Sequence, residues 1–405
     1  AGLVPGTENA GESMINLPIK KLRPGMVTAQ SIYNTKGASY LTRGTAVSEQ
    51  YISRLKKLGV TSLAVTSLNP AFAPSPPDDI IGERTRIKAI HKVYDTFHEL
   101  EATGELNIEP LSAISETMLD DILSNQNNLV QLTDLRRHDD YTFSHSVNVA
   151  VLATMLGTLC RYSKSDLLTL VLGGLLHDIG KVNVPAKILT KRGRLTQSEF
   201  SLMKMHPALG EEKLLKLSVP SAKILAIIAG QHHEHLNGEG YPRHLMGDSI
   251  HRFARIVAIA DVYDALTSQR SYKPAYKPHI AYRIMNRCSV GQFDLDLLNL
   301  FFNNVAIYPT GTVLKTTLGY AIVRESEFGR TLTPKICVFT DPEQKLVPHP
   351  FDVDLQYCPS DTVQTVVEDL ELLPLCYRLK FDPAQLLDGT RHFTEETVTV
   401  DVSAF

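Results

Sequence analysis

Two stretches of this sequence, Leu167 to Leu176 and Phe253 to Leu266, are apolar nearly all round, and helices with that pattern belong inside a core. Polar side chains nevertheless stand in or beside such helical stretches. His177 and Asp178 end the first stretch, just before the breaker Gly180, and both can point into one cavity. Asp261 lies within Ile256-Val257-Ala258-Ile259-Ala260-Asp261-Val262, and His145, His206, His232 and His233 occupy neighbouring helical segments. Burying so many rings and carboxylates is unfavourable unless each finds a partner, and an ionised carboxylate in apolar surroundings needs a compensating cation. The chain must therefore build a helical core large enough to enclose a polar centre.

It has the length to do so. Its 405 residues exceed the size at which one hydrophobic core usually stops growing, so more than one domain is expected. With 43% hydrophobic and 21% charged residues and a net charge of -3, the composition excludes global disorder. It also argues against an extended basic surface for DNA, RNA or an anionic membrane, while a small anionic ligand stays compatible. Five widely spaced cysteines with no CxxC pair give neither a disulfide framework nor a thiolate zinc site, and suggest a reducing, cytoplasmic setting. The longest apolar run is broken by Thr169, Gly173 and Gly174 and falls far short of a membrane span.

Along the chain, residues 1–13 read as an expression remnant, with Met14 as the native start. Residues 14–67 read as a small α+β domain, with strand-like Val27 to Tyr33 and Ala38 to Leu41. A helix capped by Ser48 and striped by Tyr51, Leu55 and Leu58 follows, and then the strand Val60 to Val65. This domain holds no titratable constellation, which suggests regulation or assembly. Residues 68–83, with Pro70, Pro74, Pro76 and Pro77, read as a stiff linker. Residues 84–305 are predominantly helical. Residues 306–405 read as a β-rich extension with strands near Thr312 to Lys315, Tyr320 to Arg324 and Ile336 to Phe339; roughly the last 50 residues carry no clear pattern.

Taken singly, the polar residues of the helical part are ordinary: a lone histidine is usually a hydrogen-bonded core or surface residue, and Asp261 could pair with Arg255 or Arg270. His91, His98, His138, His244, His349 and Cys288 fit no ligand spacing and read as structural. The coincidence of seven hard or borderline ligands, with no thiol nearby, points instead to a metal centre. On a helix His232 and His233 would diverge by about 100°, suited to meeting a metal from two sides. Lys181 lies one helical turn beyond His177.

The runs His177-Asp178-Ile179-Gly180-Lys181, His206-Pro207, and His232-His233-Glu234-His235-Leu236-Asn237-Gly238-Glu239-Gly240-Tyr241-Pro242 together resemble the HD-GYP family of bacterial cyclic dinucleotide phosphodiesterases. The resemblance extends to Tyr141 through Ala150, to Asp261 through Thr267 and to Arg270-Ser271-Tyr272-Lys273, about residues 130–300 and roughly half the chain. Ile15 to Val65 is similar to the N-terminal domain often fused to such proteins. The resemblance implies a mainly α fold: an all-helical HD-type metal-dependent phosphohydrolase bundle, beside the small α+β domain and the β-rich C-terminal extension.

It also implies two divalent metal ions. His145, His177, Asp178 and Asp261 would hold one, and Asp178 would bridge to a second held by His206, His232 and His233. Paired cations polarise a phosphodiester and stabilise both its attacking and leaving oxygens. Nitrogen and carboxylate ligands without sulfur suit iron or manganese, with zinc, nickel and cobalt also compatible. Lys181 would neutralise charge on the phosphoryl oxygens or assist the leaving group. Gly240, Tyr241 and Pro242 would shape the pocket mouth, with Tyr241 offering a face to a purine, while Arg270 and Lys273, expected on the end of the Asp261 helix, would contact the substrate. Some members carry a carboxylate one turn before the first histidine; here that position is Tyr141, with Asp140 out of phase, which favours two metals over three.

The implied activity is hydrolysis of cyclic di-GMP to linear pGpG and onward to GMP. The alternatives are a preference for 3',3'-cyclic GMP-AMP, or a non-catalytic sensor or scaffold for a dinucleotide or a diguanylate cyclase. Implied partners are the cyclic dinucleotide, a diguanylate cyclase or other signalling protein, and a second copy in a homodimer.

Overall fold

The structure is a computed structural model that describes residues 14–19, 22–24, 26–28, 32–33, 39–41, 47–57, 62–66, 80–125, 141–191, 193–268, 276–381 and 383–387. The prolines expected in the linker, residues 1–13, Asp140, Arg270 and Lys273 lie outside them.

In the N-terminal part β1 (Met14–Pro18) pairs antiparallel with β4 (Ser62–Thr66), Ile15 facing Val65, and β2 (Ile32–Tyr33) pairs with β3 (Ser39–Leu41). Helix α1 (Glu49–Lys57) starts where the Ser48 hydroxyl accepts the Tyr51 N–H at 3.2 Å. Its Ile52 and Leu55 pack with Ile19, Leu22, Val47, Leu63 and Val65 into a small core.

The helical part comprises α2 (Glu83–Thr103), α3 (Glu109–Ser124), α4 (Tyr141–Leu159), α5 (Lys164–Leu176), α6 (Ala186–Leu189), α7 (Gln197–Met203), α8 (His206–Leu215), α9 (Ala222–Gln231), α10 (Arg252–Thr267), α11 (Pro278–Gln292) and α12 (Leu295–Phe302). Its core reaches further upstream than the composition shift suggests, because Ile80 and Ile81 are fully buried in it. Local sequence sets the helix ends. Ser163 accepts the Asp166 N–H to start α5, and Thr196 with Glu199 forms a reciprocal capping box on α7. As their patterns require, α5 and α10 are buried over most of their length. Close approach positions them: a Cβ at Gly174 of α5 would sit 2.4 Å from the Ala150 Cα of α4, so only glycine lets these backbones pack at this distance. The end of α5, with His177 and Asp178 after it, is thereby held beside α4, which carries His145. Among the described residues, no helix is long and apolar enough to cross a membrane.

The last part is a five-stranded antiparallel sheet in the order β8 (Leu346–Asp354), β7 (Lys335–Thr340), β6 (Gly319–Glu325), β5 (Val313–Thr316), β9 (Val363–Val366), followed by helix α13 (Asp369–Leu379). Alternation along the strands divides its apolar residues between two cores. Leu314, Ala321, Val323, Ile336 and Val338 line one, and Val313, Ile322, Cys337 and Phe339 meet Leu375 of α13 in the other.

Candidate metal centre

The seven residues singled out as ligands come together where α4, α5, α8, α9 and α10 converge. The ligand atoms of His145, His177 and Asp178 lie within 4.8 Å of one another, as do those of Asp178, His206, His232 and His233. Asp178 thus belongs to both groups. Its Oδ2 is 3.3 Å from His177 Nε2 and 4.0 Å from His145 Nε2, while its Oδ1 is 3.2 Å from His206 Nε2 and 3.8 Å from His232 Nε2. Asp261 stands across the cluster, 3.1 Å from His145 Nε2 and 3.7 Å from His233 Nδ1.

The backbone aims the rings. His177, His206 and His232 each direct Nδ1 at the carbonyl three residues earlier, of Gly174, Met203 and Ala229, at 2.8, 2.7 and 2.8 Å. A carbonyl only accepts, so Nδ1 carries a proton and each ring turns Nε2 toward the centre, where its lone pair can be offered to a cation. His206 Nε2 and His232 Nε2 are then 3.3 Å apart, lone pair against lone pair, a contact that a shared cation relieves. The buried His177 Nε2 and Asp178 Oδ1 likewise find no hydrogen-bond partner among protein groups. Burial holds His232 well below the usual histidine range and His233 at about 3. Burial would raise the Asp178 carboxyl, but the Lys181 ammonium on its Oδ2 outweighs this and holds it well below its usual range. Neutral rings around ionised carboxylates are the metal-binding protonation state. The donor set therefore fits divalent cations.

His145 is held differently. Burial would lower its pKa, but hydrogen bonds to Asp261 and Asp264 push it up to about 9, so without a metal the ring keeps a proton between two carboxylates. Asp264, which the sequence pattern does not single out as a ligand, receives the His145 Nδ1–H at 2.6 Å. Its position one turn after Asp261 was the available signal.

Two expectations need correction. His232 and His233 do not lie on a helix together: α9 ends at Gln231, and the Glu234 N–H turns back onto the Gln231 carbonyl at 2.9 Å. The helical period stops there, and the rings sit nearly side by side, with centroids 4.1 Å apart. Nor does the Asp261 helix reach Arg270. It ends at Thr267, where Ser268 becomes extended and its hydroxyl donates to Asp264 Oδ1 at 2.7 Å.

Lys181, on the short turn Ile179–Asn183, places Nζ on Asp178 Oδ2 from the partly exposed side. The Tyr241 ring lies 4.8 Å from the His233 ring, with Lys204 Nζ 5.0 Å from its centroid. Gly240 fits against the Glu234 and His235 backbone, and Pro242 follows Tyr241. Glu234, unremarked in the sequence, is buried and accepts the Arg243 and Leu245 N–H groups at 2.7 and 3.0 Å, pinning this loop beside the histidines.

A buried aspartate shared between two histidine groups inside a helical bundle defines the class of HD-type metal-dependent phosphohydrolases, and residues 117–297 match the HD domain family. The chain is 33% identical over 324 residues to a cyclic di-GMP phosphodiesterase of Pseudomonas aeruginosa, covering 77% of this chain and 78% of that protein. It is 42% identical over 145 residues to a 3'3'-cGAMP-specific phosphodiesterase of Vibrio cholerae, covering 36% of this chain and 31% of that one. It is also 48% identical over 101 residues to a cyclic di-GMP phosphodiesterase response regulator of Xanthomonas campestris, with 25% and 27% covered. The chain belongs to the HD-GYP family of phosphodiesterases.

Proposed function

We propose that this protein hydrolyses cyclic di-GMP to linear pGpG and onward to GMP, in the cytoplasm, using two divalent ions. His145, His177, Asp178 and Asp261 hold one, and Asp178, His206, His232 and His233 the other. The observation that carries this reading is the double membership of Asp178, whose two oxygens face two separate histidine groups. Bound there, the ions supply the positive charge that polarises a phosphodiester and stabilises its departing oxygen. The histidine and carboxylate donors, with no thiolate, favour iron or manganese.

The surrounding residues bind and orient. Lys181 is a quarter exposed above the buried Asp178, placed to neutralise a phosphoryl oxygen, and Tyr241, its phenol kept neutral by burial, offers a ring face to a base. Gly240 and Pro242 shape the loop that carries it. Arg270 and Lys273 remain candidates for the phosphates and a base edge. Arg270→Ala is expected to raise KM for cyclic di-GMP by about 1–3 kcal/mol of lost bidentate contact while leaving metal content unchanged, as steady-state kinetics with elemental analysis will read.

Cyclic di-GMP is favoured by the Pseudomonas relative, which aligns over most of both chains. A second reading, 3',3'-cyclic GMP-AMP, is favoured by the 42% identity to the Vibrio enzyme over 145 residues. Incubating metal-loaded protein with both cyclic dinucleotides and separating the products by chromatography distinguishes them. Chelation is expected to abolish turnover and added iron or manganese to restore it. Turnover at the untreated rate in fully metal-free protein would refute the metal-centred reading. Residues 14–67, whose sequence offers no acid, base or ligand cluster, are assigned regulation or assembly; a diguanylate cyclase or other signalling protein and a second copy are the protein partners proposed.

A further inference from the structure

Behind His145 runs a chain of hydrogen bonds that reaches a helix lying outside the matched HD segment. His145 Nδ1 donates to Asp264 Oδ2 at 2.6 Å, Asn148 Nδ2 donates to Asp264 Oδ1 at 2.8 Å, and Arg86 Nη1 on α2 donates to Asn148 Oδ1 at 2.7 Å. Arg86 and Asp264 are buried, 3% and 0% exposed. The chain has one consistent polarity. A carboxylate only accepts, so Asn148 must turn its amide nitrogen toward Asp264, and its oxygen then faces a guanidinium that can only donate. Arg86 thereby selects the amide orientation that serves Asp264. An Asn148 turned the other way would set oxygen against oxygen, and Asp264 would lose a donor that fixes the oxygen pair holding His145.

We propose that Arg86 is a positioning residue for the metal centre, acting through Asn148 and Asp264 to fix the tautomer and direction of His145. The inference rests on the two-metal reading above and extends the functional unit to a helix that precedes the HD match, residues 117–297. Groups that orient a ligating histidine typically change metal affinity by about 10–100-fold when removed.

The test reads metal binding without substrate. Full-length protein, Arg86→Met, Asn148→Leu and the double variant are titrated with manganese against a competing chelator, and the cobalt-loaded forms are compared by visible absorption. Arg86→Met should keep its fold by circular dichroism, weaken one of the two ions by about tenfold or more, and alter the cobalt spectrum. The double variant should lose no more affinity than Asn148→Leu alone, since residues acting in series are not additive. Unchanged affinity and spectrum in folded Arg86→Met, or losses that simply add, would overturn the proposal. If Arg86→Met does not fold, Asn148→Leu alone carries the test, and full affinity in that variant overturns it. Wild-type protein that binds metal but cleaves no cyclic dinucleotide would defeat the proposed activity and leave this inference intact.

Discussion

Replacing Asp178 with alanine is expected to leave a folded protein that retains neither metal and has no measurable phosphodiesterase activity. Asp178 is 1% exposed, and its two oxygens are divided between the His145–His177 side and the His206–His232 side, so one substitution removes a ligand from both groups. What remains is histidine alone on the His206–His232 side and histidine with the single carboxylate of Asp261 on the other, too little negative charge to offset a divalent ion in a low-dielectric setting. Elemental analysis after gel filtration and turnover of cyclic di-GMP measure the two losses together. Full metal occupancy in a folded Asp178→Ala would refute the shared role. Lys181→Ala should separate binding from rate: metal content holds, KM changes little, and kcat falls by about 10²–10³-fold, the size seen when one preorganised donor to developing charge is lost.

Gly180→Ala is expected to be nearly as damaging although Gly180 bears no functional group. A Cβ there would lie 2.0 Å from the His206 carbonyl oxygen and 2.6 Å from the Gly210 nitrogen, both backbone atoms of α8. Nothing flexible can move aside, so α8 must retreat and carry His206 away from Asp178. Overpacking of this kind costs about 1–3 kcal/mol of stability, and the displaced histidine should empty the ion on its side preferentially. Thermal unfolding of the metal-free protein reads the first effect, and a metal count near one per chain reads the second. Wild-type stability with two ions bound would show that α8 accommodates the methyl.

Much of this centre is legible along the chain because the signal is local. His177-Asp178 at the end of an all-apolar helix, Asp261 inside another and the histidine pair before Gly238 to Pro242 each stand out against their immediate neighbours, since polar groups in apolar stretches must be compensated. The capped starts of α1 and the apolar character of α5 and α10 are local too. Where the period itself breaks, local reading misleads: the turn at Glu234 puts His232 and His233 side by side, and the extended Ser268 stops α10 short of Arg270.

The amino-acid sequence by itself determined which residues are polar inside a helical core, and so which ones require a cation. Tertiary structure alone decided how they are shared and held. Asp264 meets His145 across 119 residues of sequence, Asn148 across 116, and Arg86 meets Asn148 across 62. β8 and β9, unassigned in the sequence, are recognisable only because β7 and β5 lie beside them. The physical reason is common to all of these. Helical and strand periods record what a residue does relative to its near neighbours, whereas a hydrogen-bond partner brought in by the packing of distant elements leaves no mark on the residues flanking either end.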